Sequence, residues 1–221
     1  MKVLLFGASG MVGQGVLREC LRDPGVTQIV AAGRTPLGES DPKLHDLTVK
    51  DFFDYSALEP QLTGFDACFF CLGVSSVGMS EADYKRVSYD LPLAAATVLA
   101  RLNPQMTFTF VTGRGCDSTE RGPIMWARVK GAAENALLKL PFKAAYMFRP
   151  GIIQPLHGVR SKTPLYNAAY VALAPVLGLW RMLSPDGVTT SERVGKAMMA
   201  VARRGAPSPW IEMADINRLG A

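Results

Sequence analysis

The sequence predicts an α/β domain in which helices cover both faces of a doubly wound parallel sheet. Three observations carry this. Short apolar runs alternate with helical stretches at least five times, the first run ends on a glycine-rich turn, and the runs are nearly continuous rather than alternating in polarity. The length agrees, because 221 residues bury the core of one such domain and are short for two. We expect one domain over residues 1–221, with its core in 1–150 and a small helical substrate or lid region in 151–221.

Lys2 to Phe6 reads as a buried strand that stops at Gly7. Met11 to Arg22 has helical spacing, with Val12, Val16, Leu17 and Cys20 near one stripe, and Asp23-Pro24-Gly25 ends it. Gln28 to Ala32 and Leu47 to Lys50 are the next strands, and Asp66 to Leu72 is an apolar run expected at the centre of the sheet. Glu81 to Leu102 is a long helical region, bent near Pro92. A strand over Met106 to Thr112 follows, then a helix over Ile124 to Leu140 and a strand over Ala144 to Phe148. Beyond Gly151 come a loop, an apolar segment over Leu165 to Leu183, a turn at Ser184-Pro185-Asp186-Gly187, a helix over Ser191 to Arg203 and a short run at Trp210 to Met213.

Composition excludes several classes. Apolar residues are 48% and charged residues 19%, which is globular rather than disordered. The net charge of +5 is scattered, with no basic run longer than Arg203-Arg204, so no nucleic acid is expected as partner. A small-molecule substrate and an anionic cofactor account for it more simply. Cys68 and Cys71 have metal-site spacing, but in a strand they fall on opposite faces, and no second pair or His cluster joins them. With Cys20 and Cys116 they are read as reduced, mostly buried thiols, with no metal, in a cytoplasmic protein. Glycines interrupt the first apolar run, so it is not read as a leader. Leu165 to Leu183 is about long enough to span a membrane but carries Asn167, Pro175 and Arg181, so packed helices near a substrate pocket are the reading and membrane contact the minority one.

The chemistry begins at Gly7-Ala8-Ser9-Gly10-Met11-Val12-Gly13, which follows a strand and opens a helix. That context makes it a dinucleotide-binding turn. The early glycines permit a tight turn and close approach of a pyrophosphate, Gly13 lets helix and strand pack, and the helix N-terminus offers N–H groups to phosphate. The domain is therefore Rossmann-like. An acid after the second strand would bind the ribose 2′-hydroxyl of NAD(H), and Arg34 and Thr35 stand there instead, which points to the 2′-phosphate of NADP(H) over NAD(H). Asp51 is placed for the adenine amino group with Phe52 beside the ring, and Leu72 and Gly73 for the ribose and nicotinamide side.

Taken together, the glycine turn, Cys71-Leu72-Gly73, Val129-Lys130-Gly131-Ala132-Ala133-Glu134 and Phe148-Arg149-Pro150-Gly151 give a resemblance over about residues 1–155. The chain resembles the atypical short-chain dehydrogenase/reductase family, and within it the proteins similar to the Tat-interacting oxidoreductase. The resemblance implies an NADP-binding core, a Ser or Thr at the end of the fifth strand, and Tyr-x-x-x-Lys on the next helix. Lys130 matches the lysine, which would bind the nicotinamide ribose, and Thr112, with Gly113 beside it, is the candidate for the hydroxyl. It also implies structural bonds from Arg149 and a wall beside the nicotinamide from Pro150 and Gly151. The tyrosine position holds Trp126, whose indole N–H donates a hydrogen bond but has no acid–base chemistry near neutral pH.

Spare proton donors are Tyr89, Asp117, Glu120, His157, Tyr166 and Tyr170. The functions left open are an NADP(H)-dependent oxidoreductase acting on a small, partly hydrophobic carbonyl or alcohol, and a non-catalytic NADP(H)-binding sensor or partner-binding protein. An epimerase or isomerase that retains its cofactor is the third. A homodimer is the assembly the resemblance implies.

Overall fold

The structure is a computed structural model that describes residues 1–159 and 187–221. The segment Leu165 to Leu183, Tyr166, Tyr170 and most of the turn at Ser184 lie outside the described residues. Seven parallel strands form the main sheet: β1 (Lys2–Phe6), β2 (Gln28–Gly33), β3 (Leu44–Thr48), β4 (Ala67–Phe70), β5 (Thr107–Val111), β6 (Ala144–Arg149) and β9 (Trp210–Glu212). Their spatial order is β3-β2-β1-β4-β5-β6-β9. The chain winds outward from β1 to β3, then returns to the other side of β1 to place β4. The order reverses between β1 and β4, and ligands of such sheets bind in the crevice above that point.

Helices cover both faces: α1 (Met11–Arg22), α2 (Glu81–Lys85), α3 (Leu91–Leu102), α4 (Met125–Leu137), α5 (Ser191–Arg204) and α6 (Met213–Leu219). Alternate residues of β1 divide the core. Val3 and Leu5 pack with Val16 and Leu17 of α1 and Val194 and Met198 of α5, whereas Leu4 and Phe6 pack with Leu99 of α3 and Leu137 of α4. Phe6 stacks on Phe70 at 4.9 Å between ring centroids, which ties β1 to β4 directly below the crevice. Cys68 and Cys71 do lie on opposite faces of the sheet. Burial pushes the Cys20 thiol up to about 12 and raises the Cys68 and Cys71 thiols too.

The long helical region is interrupted just before its proline. A π-helical turn over Arg86–Asp90 separates α2 from α3, and Pro92 stands in the first turn of α3. A proline ring clashes with the carbonyl four residues earlier, and a widened turn relieves that clash. The third strand starts three residues earlier and ends two residues earlier than the sequence pattern placed it. His45 and Asp46 are exposed on this edge strand, so its polarity hid it.

Three elements have no counterpart in the sequence reading. β7 (Ile152–Gln154) pairs with β8 (Val188–Thr190), and α6 begins at a capping box between Glu212 and Asp215. The short run at Trp210 becomes the seventh strand of the main sheet, drawn from the part of the chain expected to supply helices. Among the described residues no helix is long and apolar enough to cross a membrane.

Candidate functional site

The glycine turn sits at the β1–β4 switch point because only glycine fits there. Gly7 has φ of 78°, and a Cβ on it would stand 2.6 Å from the Leu72 backbone nitrogen. A Cβ on Gly13 would stand 2.1 Å from the Gly7 carbonyl oxygen. Gly10 donates to that same oxygen at 2.9 Å and is the N-cap of α1, with no side chain capping the helix. The first intrahelical bond runs from Gln14 N–H to the Gly10 carbonyl at 2.8 Å. The N–H groups of Met11, Val12 and Gly13 therefore precede the helix's own acceptors, and the first turn carries no acid. Ser9 is exposed at the lip. A cradle that a Cβ would fill, beside an uncapped positive helix end, fits a pyrophosphate.

The ends of β2 and β3 meet on one side of it. Val49 donates to the Gly33 carbonyl at 2.9 Å, so Arg34 and Thr35 leave β2 beside the point where Lys50 and Asp51 leave β3. All four are exposed, and neither Arg34 nor Lys50 has an ion-pair partner among the described residues. Sequence reasoning missed Lys50, since nothing local tells which residues end neighbouring parallel strands side by side. The Asp51 carboxylate accepts from Phe53 N–H at 2.8 Å, and Phe52 lies edge-on to Phe6 at 6.3 Å.

On the other side, Leu72 and Gly73 pass over Lys130. A Cβ on Gly73 would stand 3.9 Å from Lys130 Nζ, which donates to the Val111 carbonyl at 3.2 Å. Lys130 is only 7% exposed, and burial pulls its pKa below the usual lysine value while Cys116 and Glu134 oppose the fall. The ammonium thus sits between the ends of β4 and β5.

Thr112 is committed elsewhere. Its hydroxyl lies 2.6 Å from Glu134 Oε1 and 3.0 Å from the Phe148 carbonyl, so its one proton is held within the fold. Glu134, fully buried, also accepts from Arg149 Nε at 3.1 Å, and Arg149 reaches Ser118 and Glu212. This matches the structural part the resemblance gave Arg149. Trp126 packs against the loop after β5, its ring 3.8 Å from where Cβ atoms on Gly113 and Gly115 would be. The Pro150 carbonyl closes the far side of Gly113 and accepts from Arg114 N–H at 2.8 Å, while Gly151 backs onto Met213.

Three of the spare donors, Asp117, Glu120 and His157, have polar partners. The Asp117 carboxylate accepts from Thr119, Arg121 and Gly122, bonds that hold its pKa below the usual carboxylate range. Glu120 accepts from Asn135, His157 pairs with Glu192 at 2.7 Å, and Lys85 lies over the Tyr89 ring. Among the described residues no cluster of His, Cys, Asp or Glu could hold a metal ion.

No family model matches the chain. It is 28% identical to Protein HTATIP2 of Rattus norvegicus over 153 residues, 68% of this chain and 62% of that protein. It is 26% identical to Protein fmp52-2, mitochondrial, of Aspergillus terreus over 230 residues, 98% of this chain and 95% of that one. In structure it superposes on Gre2 of Candida albicans, solved in complex with NADPH, with a TM-score of 0.69 at 13% identity over 96% of this chain and 77% of that one. These likenesses support the resemblance to the atypical short-chain dehydrogenase/reductase family. The chain carries the glycine turn and Lys130, with Trp126 four residues before that lysine. The match to the rat protein spans less than two thirds of that protein's length.

Proposed function

We propose that the chain is an NADP(H)-dependent oxidoreductase acting on a small, partly hydrophobic carbonyl or alcohol. One arrangement supports this above all: an open glycine cradle at the switch point, with a cation pair at its adenine end and the buried Lys130 ammonium at its other end. In this reading the N–H groups of Met11, Val12 and Gly13 bind the pyrophosphate. Arg34, Thr35 and Lys50 hold the 2′-phosphate, and Asp51 and Phe52 flank the adenine. Leu72, Gly73, Pro150 and Gly151 shape the nicotinamide half, and Lys130 orients its ribose. Bound there, the cofactor supplies or accepts a hydride. The apolar residues Val74 and Val77, in the loop that follows Gly73, and Ile124, just before the helix that carries Lys130, are exposed and favour a substrate with hydrophobic surface.

The test is calorimetric titration with NADPH and NADH, followed by cofactor oxidation across a panel of carbonyls. Tight NADPH binding, and turnover lost in Lys130→Ala, is the expected result. No binding, or tight binding without turnover of any carbonyl, would sink the reading. A cytoplasmic homodimer completes the proposal. Sedimentation and imaging of the tagged protein check it, and a mitochondrial signal, as the name of the Aspergillus terreus relative carries, would correct the location.

A further inference from the structure

Lys130 is a buried cation with protons to spare. Its side chain runs from α4 to the end of β5, where the ammonium donates to the Val111 carbonyl at 3.2 Å. The centre of the Phe110 ring lies 5.2 Å from Nζ, and the Cβ position of Gly73 is 3.9 Å away. Val111 is the last residue of β5 and Gly73 lies just past β4, so the ammonium stands at the carboxyl ends of the strands. Ligands of such sheets bind there. An ammonium carries three protons. Val111 takes one, and among the described residues no other hydrogen bond or ion pair engages Nζ.

The surroundings make that ammonium a stronger acid than a lysine in water. The residues it meets from the β4 side, Leu72 and Gly73, and from β5, Phe110 and Val111, do not titrate. The titratable groups that act on it are Cys116, on the loop after β5, and Glu134, one turn further along α4. Behind them, Tyr84 of α2 feels the Cys116 charge, and Arg149 takes up the charge of Glu134. Burial outweighs Cys116 and Glu134 together and pulls Lys130 below the usual lysine value. Trp126 precedes Lys130 by four residues, so both leave the same helix face. We infer that Lys130 is the proton donor of the site: its ammonium protonates the carbonyl oxygen of the substrate as a hydride reaches the carbonyl carbon. The acid thus sits one turn along α4 from the indole. The inference rests on the oxidoreductase reading above and adds to it, since one uncommitted proton serves the ribose and the other the substrate.

In reduction a C–H bond forms at the carbonyl carbon, the C=O π pair moves to the oxygen, and an Nζ–H bond breaks as the O–H bond forms. Lys130 is left as a neutral amine and takes a proton back from water. The substrate gains two electrons and two hydrogens, and the reduced dinucleotide is the two-electron donor. In alcohol oxidation the neutral amine accepts the hydroxyl proton.

The experiment uses the intact protein, NADPH and the fastest-reduced of cyclohexanone, benzaldehyde and hexanal. Nitrogen NMR of lysine-labelled protein, with and without NADPH, follows the titration of Lys130, and Lys130→Arg identifies its signal. The midpoint should lie below the usual lysine value. Reduction needs the protonated form, so kcat/KM at saturating NADPH should be full below the midpoint of the NADPH complex and fall as pH rises through it. Lys130→Arg keeps the charge and N–H donors for the ribose but is too weak an acid to give up a proton. It should bind NADPH with near wild-type affinity by calorimetry and lose roughly 10²–10⁴-fold in kcat. Should that variant misfold, Lys130→Ala decides. Methylammonium should restore part of its turnover, and tetramethylammonium, a cation with no proton to give, should restore none. A rate that stays flat across the Lys130 midpoint, or wild-type kcat in Lys130→Arg, overturns the inference and leaves the oxidoreductase reading intact. So does turnover lost in Tyr166→Phe or Tyr170→Phe, since a phenol would then be the donor. NADPH binding with none of the three carbonyls reduced overturns both, and absence of NADPH binding overturns the cofactor reading as well.

Discussion

Arg149 and Glu134 form the most buried ion pair among the described residues, with Glu134 fully inaccessible and Arg149 donating from both Nε and Nη2. The pair joins the last residue of β6 to α4 and, through Thr112, to the end of β5. Glu134 lies one turn beyond Lys130 on the same helix, so the pair fixes how α4 presents that lysine to the mouth.

Removing one partner strands the other charge inside the fold. Glu134→Ala should cost about 3–5 kcal/mol of stability, measured by urea unfolding. Glu134→Gln, which keeps an acceptor for Thr112, should cost less. A loss below about 1 kcal/mol for Glu134→Ala would show that water replaces the carboxylate, contrary to its burial.

The glycines of the turn separate folding from binding. Gly13→Ala forces a Cβ to 2.1 Å from the Gly7 oxygen and should prevent a stable fold. Gly10→Ala meets only that oxygen, at 3.3 Å, so it should fold with its melting temperature little changed yet bind NADPH at least tenfold more weakly. Calorimetry with NADPH on thermally intact Gly10→Ala checks this. Unaltered affinity would place the phosphates away from the turn.

Arg34 and Lys50 should act as a pair toward a 2′-phosphate. A hydrogen bond to a charged group is worth about 1.5–3 kcal/mol, so either alanine variant should weaken NADPH by roughly tenfold to a hundredfold. NADH affinity should stay unchanged. The NADPH preference should also shrink with added salt, because both side chains are exposed. Equal wild-type affinities for the two cofactors would rule out the assignment.

Acid should loosen the seam between α1 and α5 and the tie from His157 to α5. Asp23 receives two bonds of 2.8 Å from Arg203, and its carboxyl is held below the usual range. Glu192 is held at about 2 by Lys196 and His157. A carboxyl whose folded pKa is depressed adds stability that is complete above its unfolded value. For Glu192 that value is 4.5, and the contribution drains away as pH falls toward about 2. Both groups are partly exposed, so each contributes about 1 kcal/mol or less. Glu192→Gln should therefore be less stable than wild type at pH 6 and match it near pH 2. A constant difference across that range would contradict the pairing.

Much of the site was legible because its signals are local. The glycine turn, α1 from Met11 to Arg22 and Lys130 on α4 stand where the pattern put them. Periodicity and glycine spacing each report on a few consecutive residues. Thr112 was chosen by position, and its turn toward Glu134, 22 residues away, leaves no trace in the neighbouring sequence. The edge strand β3 was misplaced for the opposite reason: its local pattern is polar because half of it faces solvent.

By itself the sequence determined that a strand runs into a turn only glycine can make and then into a helix, and that the helix lysine stands four residues after a tryptophan. Those properties follow from backbone sterics and helix pitch, which act within a few residues. The tertiary structure alone decided that Lys50 ends its strand beside Arg34, that β9 completes the sheet, and that the indole of Trp126 lies on Gly113 and Gly115. These are contacts between segments brought together by parallel strand order and packing. Their partners are set by the whole core, and neighbours in the chain carry no record of them.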